Sequence, residues 1–231
     1  MPTAYPEPLR RAALALLPER WLEARRPRRK QGWWREAGVV FVHVPRAAGT
    51  SVTTTLYGQF LGHFTASQIA EKCEADVVAL PRFAIVRNPW DRLVSAYEFA
   101  RAGEGRGGPQ SVTVADPAQY RIPAFDSFER FVEEWLAPAT DRGAIDRLDG
   151  IFRTQSYYVN GPDGALLVDH CGRLEAMAET EEWLSQTLGR RIEFPRHNAS
   201  PRDATESYYT PALRETVRRI YADDIKAFGY D

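Results

Sequence analysis

Cysteine is scarce in this chain: Cys73 and Cys171 are the only two among 231 residues. Two thiols cannot make the disulfide framework of a small secreted scaffold, and no Cys/His cluster has zinc-ligand spacing. Both are expected as small buried residues rather than reactive thiols. Long apolar runs are missing as well. Nothing approaches the roughly 20 residues that span a bilayer. The run Leu14-Ala15-Leu16-Leu17, followed at once by Pro18-Glu19-Arg20, is too short for a secretory core. A soluble, cytoplasmic chain is the expectation. Net charge is nearly absent too, at −1. That speaks against a nucleic-acid partner held by bulk charge and makes any anion site local. No internal repeat is visible. The run G-x-x-x-x-G-K-[S/T] of ATP- and GTP-dependent P-loop kinases does not occur, nor does an obvious magnesium-binding carboxylate after a strand.

What is present suits one globular domain, since 231 residues that are 44% hydrophobic can bury a sizeable core. Residues 1–36 concentrate basic side chains, among them Arg10, Arg11, Arg20, Arg25, Arg26, Arg28, Arg29, Lys30 and Arg35. They read as a basic N-terminal helical extension ahead of a domain at residues 37–231. Its face is either solvated or in peripheral contact with a membrane surface or an acidic polymer. The pattern predicts a helix over residues 9–26, interrupted or restarted at Pro18, and a connector from Arg26 to Gln31. Val39–Val44 reads as a strand buried on both faces, Ala84–Val86 as a second and Leu166–Asp169 as a third. Helices are predicted over Ser51–Leu61, 66–76, Asp91–Arg101, from Ser127 to about Trp135, over Thr180–Leu188, and after Thr210-Pro211. Strands alternating with helices give an α/β fold with a mainly parallel sheet. The glycine-rich run from Gly103 to Pro109 reads as a lid, an acceptor-binding loop or a spacer.

Two strand-loop-helix units carry the chemistry. The first is Val39–Val44 followed by Pro45-Arg46-Ala47-Ala48-Gly49-Thr50-Ser51. The second is Phe83-Ala84-Ile85-Val86 followed by Arg87-Asn88-Pro89-Trp90-Asp91-Arg92 and a helix bearing Ser95 and Tyr97. Backbone N–H groups of residues 48–51 at a helix start can face an anion, Gly49 permits close approach, and Thr50 and Ser51 add hydroxyls. A simple helix N-cap is the other reading of those two hydroxyls. Arg87 at a strand end and Ser95 in the next helix suit a second phosphate. Arg92 is expected to be structural, pairing with a helix carboxylate, while Trp90 and Tyr97 pack. Two such loops about forty residues apart point to a nucleotide with phosphates at two places.

The run His43-Val44-Pro45-Arg46-Ala47-Ala48-Gly49-Thr50-Ser51 resembles the 5′-phosphosulfate loop of sulfotransferases, often H-I-P-K-T-G-G-T-S. Arg87 to Tyr97 resembles their 3′-phosphate motif, R-N-P-x-x-R-x-x-S-x-Y. The segments Gly172–Glu175, Pro195–Ser200 and Asp224–Tyr230 are similar to the carbohydrate-type branch (sulfotransferase family 2). The resemblance runs from about residue 38 to the C-terminus. It implies a P-loop-like three-layer fold, a mainly parallel central sheet flanked by helices, and metal-free transfer of a sulfuryl group from 3′-phosphoadenosine 5′-phosphosulfate (PAPS). The acceptor it implies is a hydroxyl on a saccharide or glycoconjugate, with a phenol or another small molecule as runner-up. The residues implied for the donor are Pro45, Arg46, Ala47, Ala48, Gly49, Thr50, Ser51, Arg87, Ser95, Asn198 and Ser200.

Arg46 stands where the family usually has lysine. It keeps the charge that would neutralise the leaving oxygen, but it is planar and cannot donate a proton at neutral pH. A non-catalytic nucleotide- or glycan-binding module of the same fold is therefore an alternative, and a P-loop kinase is the other. Among His43, His63, His170 and His197, the candidate general base is His63, since relatives place a Gly-His pair there. Glu71 and Glu74 are carboxylate alternatives. His43 is expected to shape the first loop, and Arg173 to aid the nucleotide or brace the fold through Glu175.

Overall fold

The computed structural model describes residues 19–103, 116–141, 145–195 and 205–231, with side chains from residue 27 onward. Three strands form one parallel sheet in the order β1 (Val40–Val42), β2 (Arg82–Val86), β3 (His170–Arg173). The register pairs Val40 with Arg82, Ala84 with Cys171 and Val86 with Arg173. Apolar strands such as Val40-Phe41-Val42, buried throughout, belong between helical layers. The protein is thus α/β, a parallel sheet flanked by helices.

The third strand lies later than the apolar run suggests. Leu166 makes only an isolated antiparallel bridge with Asn160 and is half-exposed. The ladder to β2 is made by His170-Cys171-Gly172-Arg173, whose polar ends hide the strand from a hydrophobicity reading.

Before β1 runs helix α1 (Glu19–Ala37), continuous through Pro27 and through the connector expected at Arg26–Gln31. Proline removes one i→i−4 bond, but tertiary contacts hold the far half of the helix. Trp34 is buried edge-on to Phe64, Gln31 accepts from the Glu74 amide at 3.2 Å, and Arg35 pairs with Glu74 and Asp76. The helix crosses the boundary expected between residues 36 and 37. Residues 1–18 lie outside the described residues.

After β1 come α2 (Gly49–Tyr57), α3 (Ala66–Lys72) and α4 (Ala75–Val78). Helix α3 opens with a capping box between Thr65 and Gln68. Helix α5 (Pro89–Ala102) follows β2, capped by Asn88, whose side chain accepts from the Trp90 and Asp91 amides. Ser127 caps α6 (Phe128–Arg130), which widens into a π-helical turn (Phe131–Leu136) before α7 (Ala137–Asp141). Then come α8 (Ser156–Val159), α9 (Met177–Leu188), ended by Gly189 at φ 63°, α10 (Pro211–Ile220), capped by Thr210, and α11 (Ala222–Phe228). The core has two lobes. One surrounds β1 and α1–α3, and the other is the aromatic cluster of Tyr97, Phe125, Phe131 and Phe152 beneath α5.

Both cysteines are free and half-buried, and burial pushes each thiol up to about 11. Among the described residues no helix is long and apolar enough to cross a membrane, and no metal-binding cluster occurs. The run after Gly103 as far as Pro109 lies outside the described residues.

Candidate functional site

In a parallel sheet neighbouring strands end on the same side, so the loops leaving β1 and β2 open side by side at the carboxyl edge. Arg92, a buried cation in α5, joins them. Its Nε donates to the Pro45 carbonyl at 3.0 Å, Nη1 to that of Arg153 at 2.9 Å and Nη2 to that of Ile151 at 3.4 Å. It is structural as expected, but through three backbone carbonyls instead of a helix carboxylate.

The first loop turns sharply. Arg46 and Ala48 both adopt the left-handed region, at φ 69° and φ 58°, with buried Ala47 between them. Ala48 is the N-cap of α2 and gives no side-chain cap. Thr50 and Ser51 therefore lie in the first helical turn rather than at the cap. As the first residues of α2, Gly49, Thr50 and Ser51 have no carbonyl within the helix for their amides, which leaves those amides to serve an anion. Gly49 has a second reason to be glycine: a Cβ there would sit 1.5 Å from Nε2 of His43. The imidazole of His43 fills that space, so the strand-end histidine does shape the loop.

The second loop is gripped from both sides. Arg87 exchanges two backbone bonds with the Gln155 amide, and the Asn88 N–H donates to Glu175 at 2.7 Å. The Arg87 guanidinium reaches the Arg46 carbonyl at 3.4 Å. Across the gap Arg46 donates from Nε and Nη2 to the hydroxyl of buried Ser95, at 3.1 and 2.9 Å, and lies 4.5 Å over the Phe99 ring. The side chain expected at the 5′ end is thus turned onto the residue expected at the 3′ end. Ser95, accepting from arginine, keeps its own proton to donate. Trp90 and Tyr97 pack as expected, their polar ends on the carbonyls of Arg214 and Phe125. Arg173 lies over the Tyr230 ring, while Glu175 accepts from Tyr230 and Asn88, so the brace runs through the tyrosine.

His63 stands beside the first loop, its ring 4.1 Å from that of His43. Its Nδ1 lies 3.1 Å from the His43 carbonyl. A carbonyl only accepts, so Nδ1 carries the hydrogen and Nε2 keeps a lone pair. The residue presents surface to solvent, yet its ring is closely surrounded by protein. That desolvation lowers its pKa, opposed by the His43 carbonyl. Burial, with the charges of His63 and Arg46 behind it, holds His43 well below the ordinary histidine value. Both shifts favour the neutral imidazole.

The carboxylate alternatives lie elsewhere: Glu74 pairs with Arg28 and Arg35, and Glu71 with Lys72. His170 stacks on Trp183 and meets Thr180. His197, Asn198 and Ser200 lie outside the described residues. Sequence reasoning overlooked Gln155. A lone glutamine between Thr154 and Ser156, 68 residues from its partner, carries no periodic or motif signal.

No curated protein matches this chain. Residues 35–231 match the family described as "Sulfotransferase family", a span that takes in both loops, the sheet and α10–α11. The chain therefore belongs to the sulfotransferase family.

Proposed function

We propose that this sulfotransferase uses PAPS as donor and a saccharide or glycoconjugate hydroxyl as acceptor, with a phenol or another small molecule as the competing acceptor class. The observation that carries the donor assignment is the contact of Arg46 with Ser95, which brings two anion-binding loops together over the carboxyl ends of β1 and β2. A nucleotide phosphorylated at both ends suits such a pair.

The roles follow from side-chain chemistry. Pro45, Ala47 and Ala48 shape the first loop, and the amides of Gly49, Thr50 and Ser51 hold the 5′ end. Arg87 and the Ser95 hydroxyl hold the 3′-phosphate. We assign Asn198 and Ser200 to the donor as well, by resemblance. Arg46 brings fixed positive charge to the leaving oxygen, so the transfer needs no metal ion. His63, neutral and with Nε2 unprotonated, takes the proton of the acceptor hydroxyl. The tail's likeness to the carbohydrate branch supports the acceptor class, and residues 1–36 offer basic charge for peripheral contact. The location we propose is cytoplasmic.

Labelled donor incubated with a panel of saccharides and phenols tests the reading. His63→Ala should lower turnover about 10²–10⁴-fold, the range for a lost general base, with donor affinity nearly intact. Wild-type turnover in that variant removes His63 as the base. Donor binding by the unaltered protein without turnover on any acceptor would favour the non-catalytic module, the reading that arginine at position 46 raises.

A further inference from the structure

Gln155 is fully buried at the entrance to α8, and its side chain behaves like a neighbouring strand. Its Oε1 accepts the Arg87 N–H at 2.9 Å, and its Nε2 donates to the Arg87 carbonyl at 2.8 Å. These are the first backbone groups beyond the end of β2, where the ladder to β3 has run out. The two bonds fix the amide's orientation unambiguously, since only the oxygen can face the N–H. Asp224, fully buried in α11, in turn accepts the Gln155 N–H at 2.6 Å, the Ser156 N–H at 2.9 Å and the Ser156 hydroxyl at 2.8 Å. An unbroken polar chain therefore links the last helix to the backbone of Arg87. Every group in it is one that would be costly to bury without a partner.

We propose that Gln155 and Asp224 are positioning residues for the 3′-phosphate: the side-chain amide of Gln155 sets the backbone of Arg87, and the Asp224 carboxylate sets the backbone that carries that amide. The inference rests on the assignment of Arg87 to that phosphate. A guanidinium grips phosphate through a fork of fixed geometry, so its strength depends on the angle at which the backbone presents it. Holding both backbone groups of Arg87 removes that freedom before any ligand arrives. Leucine at position 155 keeps the volume and removes both of these bonds to the Arg87 backbone. Asparagine at position 224 turns an NH₂ toward a backbone N–H, that of Gln155 or that of Ser156, in place of an acceptor oxygen.

The test is calorimetric titration of the full chain with 3′-phosphoadenosine 5′-phosphate and with 5′-AMP, the ratio of the two affinities reporting the 3′-phosphate alone. Arg87→Ala should collapse the ratio. Gln155→Leu should reduce it about tenfold, as befits partial loss of a charged hydrogen bond, and Asp224→Asn should reduce it in the same sense but less. Affinity for 5′-AMP should stay near wild type in both. A merely structural role would lower the binding-competent fraction and leave the ratio unmoved. The proposal is overturned if Gln155→Leu keeps the wild-type ratio while Arg87→Ala loses it. If Arg87→Ala also keeps it, the 3′-phosphate assignment falls and the positioning role with it. Should Gln155→Leu not fold, Asp224→Asn decides by the same ratio.

Discussion

Ala48 sits at φ 58° where the resembled loop has glycine. An L-residue with a Cβ is disfavoured there by roughly 1–2 kcal/mol, because Cβ crowds the carbonyl. Ala48→Gly should therefore stabilise the protein by about 1 kcal/mol, even after the greater freedom glycine gives the unfolded chain. Urea unfolding reads this directly, and a lower midpoint would show that the loop is not strained. Its neighbour Gly49 answers to a different constraint, the His43 ring in the place of a Cβ. The sequence suggests only that glycine lets the backbone approach a ligand. That the space is already taken depends on a strand-end rotamer, which no spacing of residues encodes.

The elements hold together through polar contacts at their ends as much as through apolar faces. Among the described residues β1 is an edge strand, and a hydroxyl serves its outer backbone. Tyr57 of α2 accepts from the Phe41 N–H at 2.9 Å and donates to the Val39 carbonyl at 3.1 Å. Tyr57→Phe keeps the ring and leaves both groups unpaired in a buried setting, so it should destabilise by about 1–3 kcal/mol. An unchanged midpoint in urea would mean the edge is satisfied another way. The parallel sheet and the longer helices after it were legible because apolar runs and caps such as Ser127 and Thr210 are local signals. Others were not, α1 and β3 among them. Helix α1 continues through Pro27 because distant residues, Phe64 and Glu74, hold it. Strand β3 is set by its register with β2, not by its own hydrophobicity.

At the scale of the molecule, desolvated histidines tie stability to pH. His43, His63 and His170 all have pKa values lowered first by burial. As the pH falls below about 6.5, the unfolded chain takes up protons that the folded one refuses, so stability declines with acid. Asp224, raised by burial, acts in the opposite sense. A comparison with His43→Gln isolates the histidine share: the variant should lose less stability than wild type between about pH 6.5 and 5. Equal losses would show that His43 is not what acid attacks. The two strand-end loops were legible from the motifs, and the family match over residues 35–231 spans both of them. The contacts that assemble the loops into one site were not, for Arg46 and Ser95 are 49 residues apart and Gln155 and Asp224 a further 69.

The proposed ligand of this edge of the sheet is a nucleotide phosphorylated at both the 3′ and 5′ positions. Calorimetric titration with 3′-phosphoadenosine 5′-phosphate in the absence of magnesium is the decisive measurement. Tight binding that 5′-AMP and ATP do not match is expected, weakened by about 1.5–3 kcal/mol in Arg87→Ala for the lost charged hydrogen bond. Binding of ATP with magnesium in preference to the bisphosphate would contradict it.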